Sequence, residues 1–352
     1  MSTERQRSAC RERLERLSTS ALHSEAIRRE AISALQRTVG FDRWCWPIAD
    51  PETLLPGGGI ADHDYGRSVP RSLELEYSTD DFAAKHVVAR RVNPAASLAA
   101  ATGGDLARSA RWNEVLRPAG IGDVAIVACR DPLGCWGWIE AYRDGADRPF
   151  DEQDLDLLAS LGPSLGSALR RNALEVSPEP VVERRSGVLV LDANLTLRSW
   201  TGAARLWVDA LPAARLNAAW GILPTIVYPA ATLARAGAGA DRAHALLRGV
   251  DGHWVMIEAA PLEGERNGEI AVTLRAPTPV EILRLLSRIY GLTTRERELV
   301  RLLLAGLDTR AIGDRLHISV HTVQDHLKSV FAKTGIRNRR ELLATLGASE
   351  TD

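Results

Sequence analysis

The sequence predicts a multidomain α+β protein that ends in an all-α domain of four helices. Three observations predict this fold class. The 352 residues exceed the ~100–200 residues that one domain usually contains. Strand-like apolar runs recur between residues 44 and 275, whereas helix start signals recur from residue 293 onward. With 45% hydrophobic and 25% charged residues, the composition is that of a folded globular protein.

The first predicted domain spans residues 18–172. It begins with an amphipathic helix from Ser18 to Val39, followed by an alternating strand in which Trp44 and Trp46 lie on one face. We interpret these tryptophans as core residues, which is the more common role of alternating aromatics, although they are also candidates for a ligand pocket. The three consecutive glycines at 57–59 predict a loop.

A hairpin is the clearest strand pair in the sequence. Two apolar runs, 124–129 and 135–142, flank Asp131-Pro132-Leu133-Gly134, whose residue types are typical of turns. A long helix is then predicted from Asp151. This order of helix, strand, helical section, hairpin and closing helix resembles a GAF domain. The resemblance implies a small-molecule-binding fold with a central antiparallel sheet.

The second predicted domain spans residues 184–276. Its opening SGVLVLDANLTLRSW contains two β-runs joined by a turn and resembles the first strands of a PAS domain. Later strands are predicted at 253–260 and 269–275. The Ala/Gly-rich stretch 230–240 is interpreted as a loop, so a degenerate PAS-like fold without a ligand is an alternative.

Prolines mark both ends of the second domain. Pro178 and Pro180 indicate a short linker before it, and Pro277 and Pro279 follow it. Residues 277–291 are interpreted as a linker helix.

The last predicted domain, residues 292–347, contains four helices. Each helix is predicted from an N-terminal capping residue, and Thr293 forms a capping box with Glu296. The four capping residues are Thr293, Asp308, Ser319 and Asn338. The second and third helices are joined by a tight turn, which predicts a helix-turn-helix unit whose second helix enters the DNA major groove.

Residues 292–343 resemble the C-terminal DNA-binding domain of LuxR-type transcriptional regulators. The matches include Leu292-Thr293, Arg295-Glu296, Gly306-Leu307, Ile318-Ser319, Thr322-Val323, His326, Lys333 and Arg339. Gly313 departs from the family, in which alanine is common, and predicts a weaker second helix because glycine disfavours helix interiors. The resemblance implies a sequence-specific transcriptional regulator that binds double-stranded DNA, with RNA polymerase as an expected partner. A homodimer is expected because one small helix-turn-helix unit makes too few base contacts for useful specificity.

The third helix of this domain is predicted to read the DNA bases. At 100° per residue, its buried side contains Val320, Val323 and Val330, and the opposite side is exposed. Glutamine can pair with adenine, aspartate can accept from cytosine, and lysine can reach guanine or a phosphate. Any one of these positions is equally well explained as a solvated surface residue. The predicted DNA-binding residues are Ser319, His321, Thr322, Gln324, Asp325, Lys328, Lys333, Arg337, Arg339 and Arg340.

The charge distribution also indicates that the C-terminal end of the chain binds nucleic acid. Residues 292–347 contain ten basic and six acidic side chains, a balance of +4, whereas residues 1–291 contain 34 basic and 37 acidic ones. A local positive excess is where a polyanion would bind.

Other classes of function receive little support. No motif indicates a metal, nucleotide or haem cofactor, and no acid/base or nucleophile arrangement indicates an enzyme. No apolar run is long enough for a membrane helix, so a cytoplasmic location is expected. The preferred hypothesis is a regulator controlled by a small molecule in the GAF-like or PAS-like domain. The alternative is a regulator whose N-terminal domains sense a protein partner.

Overall fold

The chain divides into two compact units, with the boundary between Ala276 and Pro277. The structure is a computed structural model that describes residues 3–20, 22–62, 66–78, 81–173, 184–239, 241–264 and 268–347. The predicted linker prolines Pro178 and Pro180 lie outside the described residues.

The N-terminal half of the first unit is built around an antiparallel sheet. Its helices are α1 (Glu4–Ser18), α2 (Ser24–Val39), α3 (Val69–Ser78), α4 (Lys85–Val88), α5 (Leu98–Ala101) and α6 (Glu152–Asn172). Its strands are β1 (Arg43–Ala49), β2 (Pro56–Ala61), β3 (Ala95–Ser97), β4 (Ile121–Asp131) and β5 (Gly134–Asp144). Within the described ranges these five strands are ordered β2-β1-β5-β4-β3.

The predicted hairpin and closing helix are confirmed. Strands β4 and β5 pair along their length, from Asp123 opposite Arg143 to Asp131 opposite Gly134. Helix α6 begins after Asp151, whose Oδ1 accepts from the backbone N–H of Asp154 at 2.9 Å. The tryptophans Trp44 and Trp46 of β1 are buried, as expected for core residues.

Two predictions for this half are wrong. The helix predicted from Ser18 begins at Ser24, because Ser18 is the last residue of a separate helix, α1, and its hydroxyl bonds back to the Glu15 carbonyl at 2.8 Å. The glycines at 57–59 form part of β2 instead of a loop. A Cβ on Gly59 would lie 2.6 Å from the Trp46 carbonyl oxygen, so glycine is required for β2 to approach β1.

The C-terminal half of the first unit contains a second antiparallel sheet. Its strands are β6 (Gly187–Leu191), β7 (Leu197–Trp200), β8 (His244–Arg248), β9 (Trp254–Pro261) and β10 (Ile270–Arg275), and its helices are α7 (Gly202–Ala210), α8 (Ala214–Ala219) and α9 (Val227–Arg235). The order among the described strands is β7-β6-β10-β9-β8. Strands β6, β7, β9 and β10 match the predicted strands, and β8 was not predicted.

The alanine-rich stretch predicted as a loop is helix α9 as far as Arg235. Alanine is the strongest helix former, and its small side chain allows a helix to lie close to a sheet. Ala230, Ala231 and Ala234 are all buried in the core of the second sheet.

Residues of the first half are buried in the core of the second sheet. Leu55 and Tyr77 from the first half are buried in the same cluster as Leu247 and Val255 from the second half. The buried carboxylate of Asp50 accepts from the backbone N–H of Leu246 at 2.6 Å. The two halves therefore depend on each other for burial of apolar surface.

The second unit consists of helices. They are α10 (Pro279–Ile289), α11 (Thr294–Leu304), α12 (Thr309–Leu316), α13 (Val320–Thr334) and α14 (Arg339–Thr345). None of the helices in the described ranges has the combined length and hydropathy that a bilayer crossing requires.

Candidate nucleic-acid interface

Four side chains start helices α11 to α14 where the sequence predicted. In each case a side-chain oxygen accepts a hydrogen bond from a backbone N–H three residues later, which satisfies a group that the helix leaves unpaired. The donor–acceptor distances are 3.2 Å for Thr293 and Glu296, 2.8 Å for Asp308 and Ala311, 3.1 Å for Ser319 and Thr322, and 3.0 Å for Asn338 and Glu341. Glu296 also completes its capping box by accepting from the Thr293 N–H at 2.6 Å.

A tight turn joins α12 to α13. His317 has a φ of 54° in the left-handed region, and the N–H of Ile318 donates to the Gly313 carbonyl at 3.0 Å. A Cβ on Gly313 would lie 2.9 Å from the Ile318 carbonyl oxygen. Glycine at this position therefore allows the turn to fold back on α12, which explains the departure noted in the sequence.

Helix α13 is held against α11 by a buried acid. Glu296 on α11 is 3% exposed, and it lies 2.7 Å from Lys333 Nζ and 2.6 Å from the Ser329 hydroxyl on α13. Burial acts to raise the pKa of Glu296, but the hydrogen bonds from Lys333, Ser329 and Thr293 outweigh it and lower the pKa to about 2. The carboxylate therefore stays charged at neutral pH and links α11 to α13.

The outward face of α13 carries His321, Gln324, Asp325 and Lys328, all exposed. Asp325 lies within ion-pair distance of two of them: 3.3 Å separates its Oδ1 from Lys328 Nζ, and 3.5 Å separates its Oδ2 from His321 Nε2. Val323 on the opposite face is fully buried. One face thus supplies packing and the other supplies hydrogen-bonding groups that project outward.

Val320 differs from its predicted burial, because it is 43% exposed. It is the first residue of α13, and the adjoining turn does not cover it. The periodicity that predicted its burial holds only where a neighbouring helix packs against α13. Val320 is therefore an exposed apolar side chain at the border of the outward face, next in sequence to His321.

The other predicted DNA-binding residues lie at the two ends of α13, in the segment that joins α13 to α14, and at the start of α14. The Ser319 and Thr322 hydroxyls are 2.9 Å apart at the N-terminus of α13. Arg337 and Arg340 are exposed, and Arg339 is half-buried. Lys333 stands apart from this set, since its ammonium group is paired with Glu296 inside the unit.

The side chains of the described residues offer no metal site. No group of three or more His, Cys, Asp or Glu side chains among them is arranged to hold a metal ion. The four cysteines Cys10, Cys45, Cys129 and Cys135 are free thiols.

Comparison with known proteins identifies the helical unit. Residues 291–346 match the family described as "Bacterial regulatory proteins, luxR family". The monoamine regulon transcriptional regulator of Klebsiella aerogenes is 43% identical over 53 residues, which cover 15% of this chain and 23% of that protein. Putative HTH-type transcriptional regulators of Mycobacterium bovis and Mycobacterium tuberculosis are 46% identical over 53 residues, or 15% of this chain and 6% of theirs.

The chain spans less than a quarter of the length of these curated relatives, so the similarity concerns the helical unit. The match covers the capping residues, the turn and helix α13. Residues 291–346 are therefore a helix-turn-helix domain of the luxR family of bacterial regulatory proteins.

Proposed function

We propose that this protein is a one-component transcriptional regulator, in which one chain both senses a signal and binds DNA. The luxR-family domain and its outward-facing helix α13 support the DNA-binding part. The observation that carries it is the row of exposed polar side chains on α13, opposite the buried Val323 and Val330. An exposed helix with these groups suits the major groove.

Within this proposal the residues of the helical unit divide into two roles. His321, Gln324, Asp325 and Lys328 face the base edges, and Val320 beside them can contact a thymine methyl group. Ser319, Thr322, Arg337, Arg339 and Arg340 contact backbone phosphates, which provide affinity and orientation. Lys333 belongs to the predicted set, and its contact with Glu296 adds a positioning role for α13.

The first unit is proposed to be the sensor, with a GAF-like half and a PAS-like half that control DNA binding through a small molecule. The antiparallel sheets at β1 to β5 and β6 to β10 are compatible with those folds. A protein partner is the second candidate signal. It is favoured by the exposed Leu206 and Val250, which lie with Arg184 around a surface depression of the second half.

The active form is proposed to be a homodimer that binds two half-sites about one helical turn apart, with RNA polymerase as a further partner. One helix-turn-helix unit contacts too few bases to select a site in a genome.

Selection from a randomised duplex library with the full-length protein tests the proposal. We expect enrichment of a two-fold symmetric site and an affinity that falls steeply with salt concentration, because phosphate contacts release counterions. A matched variant, Gln324→Ala, should change the enriched bases, whereas Gln36→Ala on α2 should not. Recovery of random sequences by the wild type would contradict sequence-specific binding.

A further inference from the structure

A pocket of about 230 Å³ lies in the first unit where its two halves meet, and it is partly open to solvent. One wall is formed by β1, β2 and α3 of the first half, including Cys45 and Ser72. The opposite wall is the segment 213–225 around helix α8, which contributes Asn217 and Trp220. Neither half encloses the space by itself. The exposed lining is mostly apolar, as is usual for small-molecule sites.

The polar part of the lining is a buried ionic cluster. Lys85 and Glu140 line the pocket, with 3.1 Å between Lys85 Nζ and Glu140 Oε1, and Tyr142 donates to Glu140 Oε2 at 2.7 Å. Lys85 Nζ also lies 2.6 Å from Glu76 Oε2. An ammonium group has three N–H donors, so Lys85 retains one beyond its two carboxylate partners.

The charges in this cluster select against an anion. Behind Lys85, Arg111 pairs with Asp81 at 2.7 Å, so two cations face the three carboxylates of Glu76, Glu140 and Asp81. Burial alone would lower the pKa of Lys85, but the charges of Glu140 and Glu76 raise it, and Lys85 stays protonated. The cluster carries a net negative charge, and a bound anion would be repelled by it.

The side-chain amide of Asn217 is a second, independent indication that the pocket holds a ligand. This residue is 1% exposed, and its Nδ2 has no hydrogen-bond partner in the described part of the chain. A buried donor without an acceptor costs roughly 1–3 kcal/mol, and native structures contain few of them. Because Asn217 also lines the pocket, an acceptor on a bound molecule would satisfy it.

We infer that this pocket binds a small uncharged molecule with an apolar ring-sized body and a carbonyl-type acceptor, which Asn217 and Lys85 recognise from opposite walls. The volume is below the ~300–1,000 Å³ typical of drug-sized ligands, which limits the size of the occupant. The inference rests on the proposed sensor role of the first unit. To that role the inference adds where the ligand binds, which chemical class the ligand belongs to, and that both halves of the first unit form the site.

Ligand-observed NMR titrations of the full-length protein test the inference with three probes of similar size. Acetophenone has the neutral acceptor, toluene lacks it, and benzoate is an anion. We expect acetophenone to bind at least tenfold more tightly than either of the others. Hydrogen exchange should slow in α8 and β2 when acetophenone binds, because both elements form the pocket walls.

Two variants and one control locate the binding. Asn217→Leu should weaken acetophenone binding roughly threefold to tenfold because one hydrogen bond is removed, and Ser72→Phe should abolish it by filling the space. Asn194→Ala, at an exposed turn of the second half, should bind like the wild type. No acetophenone binding by the wild type, tighter binding of benzoate, or unchanged binding by Asn217→Leu and Ser72→Phe would overturn the inference.

DNA affinity, measured on the same preparations without a probe, separates this inference from the proposed function. Intact sequence-specific DNA binding with an empty pocket overturns the inference alone. Probe binding without DNA binding overturns the proposed regulator and leaves the pocket established.

Discussion

Asp325 Oδ1 lies 3.3 Å from Lys328 Nζ on the exposed face of α13, and the same carboxylate lies 3.5 Å from His321 Nε2. All three side chains are well exposed, so these contacts contribute little to stability. The carboxylate of Asp325 can hold the side chains of Lys328 and His321 in position on the face of α13 that is proposed to contact DNA. An acid on that face would be repelled by DNA phosphates unless it accepts from a base or holds its neighbours in place.

We therefore expect Asp325→Ala to relax base preference at one base pair in each half-site, while binding to unrelated DNA stays equal or rises. Removing the acceptor for a cytosine N4 donor should reduce base discrimination by about 1–3 kcal/mol. Selection from a randomised site library measures the change. Asp314→Ala on α12 is the control, since it removes an exposed acid outside the proposed base-reading face. An unchanged base profile for Asp325→Ala would make Asp325 a solvated surface residue.

Because Glu296 pairs with Lys333, we expect the helical unit to lose folding stability in acid. The pKa of Glu296 is lowered from 4.5 to about 2 in the folded protein, so its contribution is fully present above pH 4.5 and is lost as the pH falls towards 2. Glu296→Gln should remove this dependence and lower the free energy of unfolding by about 1.5–3 kcal/mol at neutral pH. Urea unfolding of residues 277–352, followed by circular dichroism, measures both effects.

Glu298→Gln is the matched control for that measurement. Its partner Arg295 is close, at 2.8 Å, but the Glu298 side chain is 41% exposed, and exposed pairs contribute little. A pH profile of Glu296→Gln that matches the wild type between pH 4.5 and 2 would disprove the role of this carboxylate.

Gly313→Ala should destabilise the helical unit, although alanine is the better helix former by about 1 kcal/mol. The added Cβ would meet the Ile318 carbonyl oxygen at 2.9 Å, and a backbone atom in a tight turn cannot move away cheaply. Crowding of this kind typically costs about 1–3 kcal/mol. Thermal unfolding of the same fragment measures the difference, with Ala311→Gly on α12 as the control for helix propensity. A stabilised Gly313→Ala variant would show that the turn relaxes.

Leu55→Ala should weaken both sheets of the first unit. Leu55 belongs to the first half, yet it is fully buried in the core of the second sheet, and such a truncation costs about 2–5 kcal/mol. Native-state hydrogen exchange should show lower protection in β4 as well as in β9. Leu22→Ala, at a leucine that is 37% exposed, should leave both sheets unchanged. Reduced protection confined to one sheet would show that the halves unfold independently.

The sequence predicted the elements that are set by interactions between residues close together in the chain, and it missed those set by contacts between distant residues. The β4–β5 hairpin and the cap at Asp151 were predictable because turn residues and capping residues act within four positions. Strand β8 was missed because its residues are almost all buried, and an unbroken buried run has no alternation to identify it. The glycines of β2 were misinterpreted because their close approach to β1 exists only after the strands pair.

The sequence by itself determined helices α11 to α14, the four caps that start them and the polar face of α13, because these features rest on hydrogen bonds and periodicities within a few residues. Only the tertiary structure decided that Lys333 pairs with Glu296 and that Val320 is exposed. It also decided that Asn217 and Lys85, far apart in the chain, line one pocket. Such relationships follow from which surfaces pack together, and packing brings together residues that no local pattern connects.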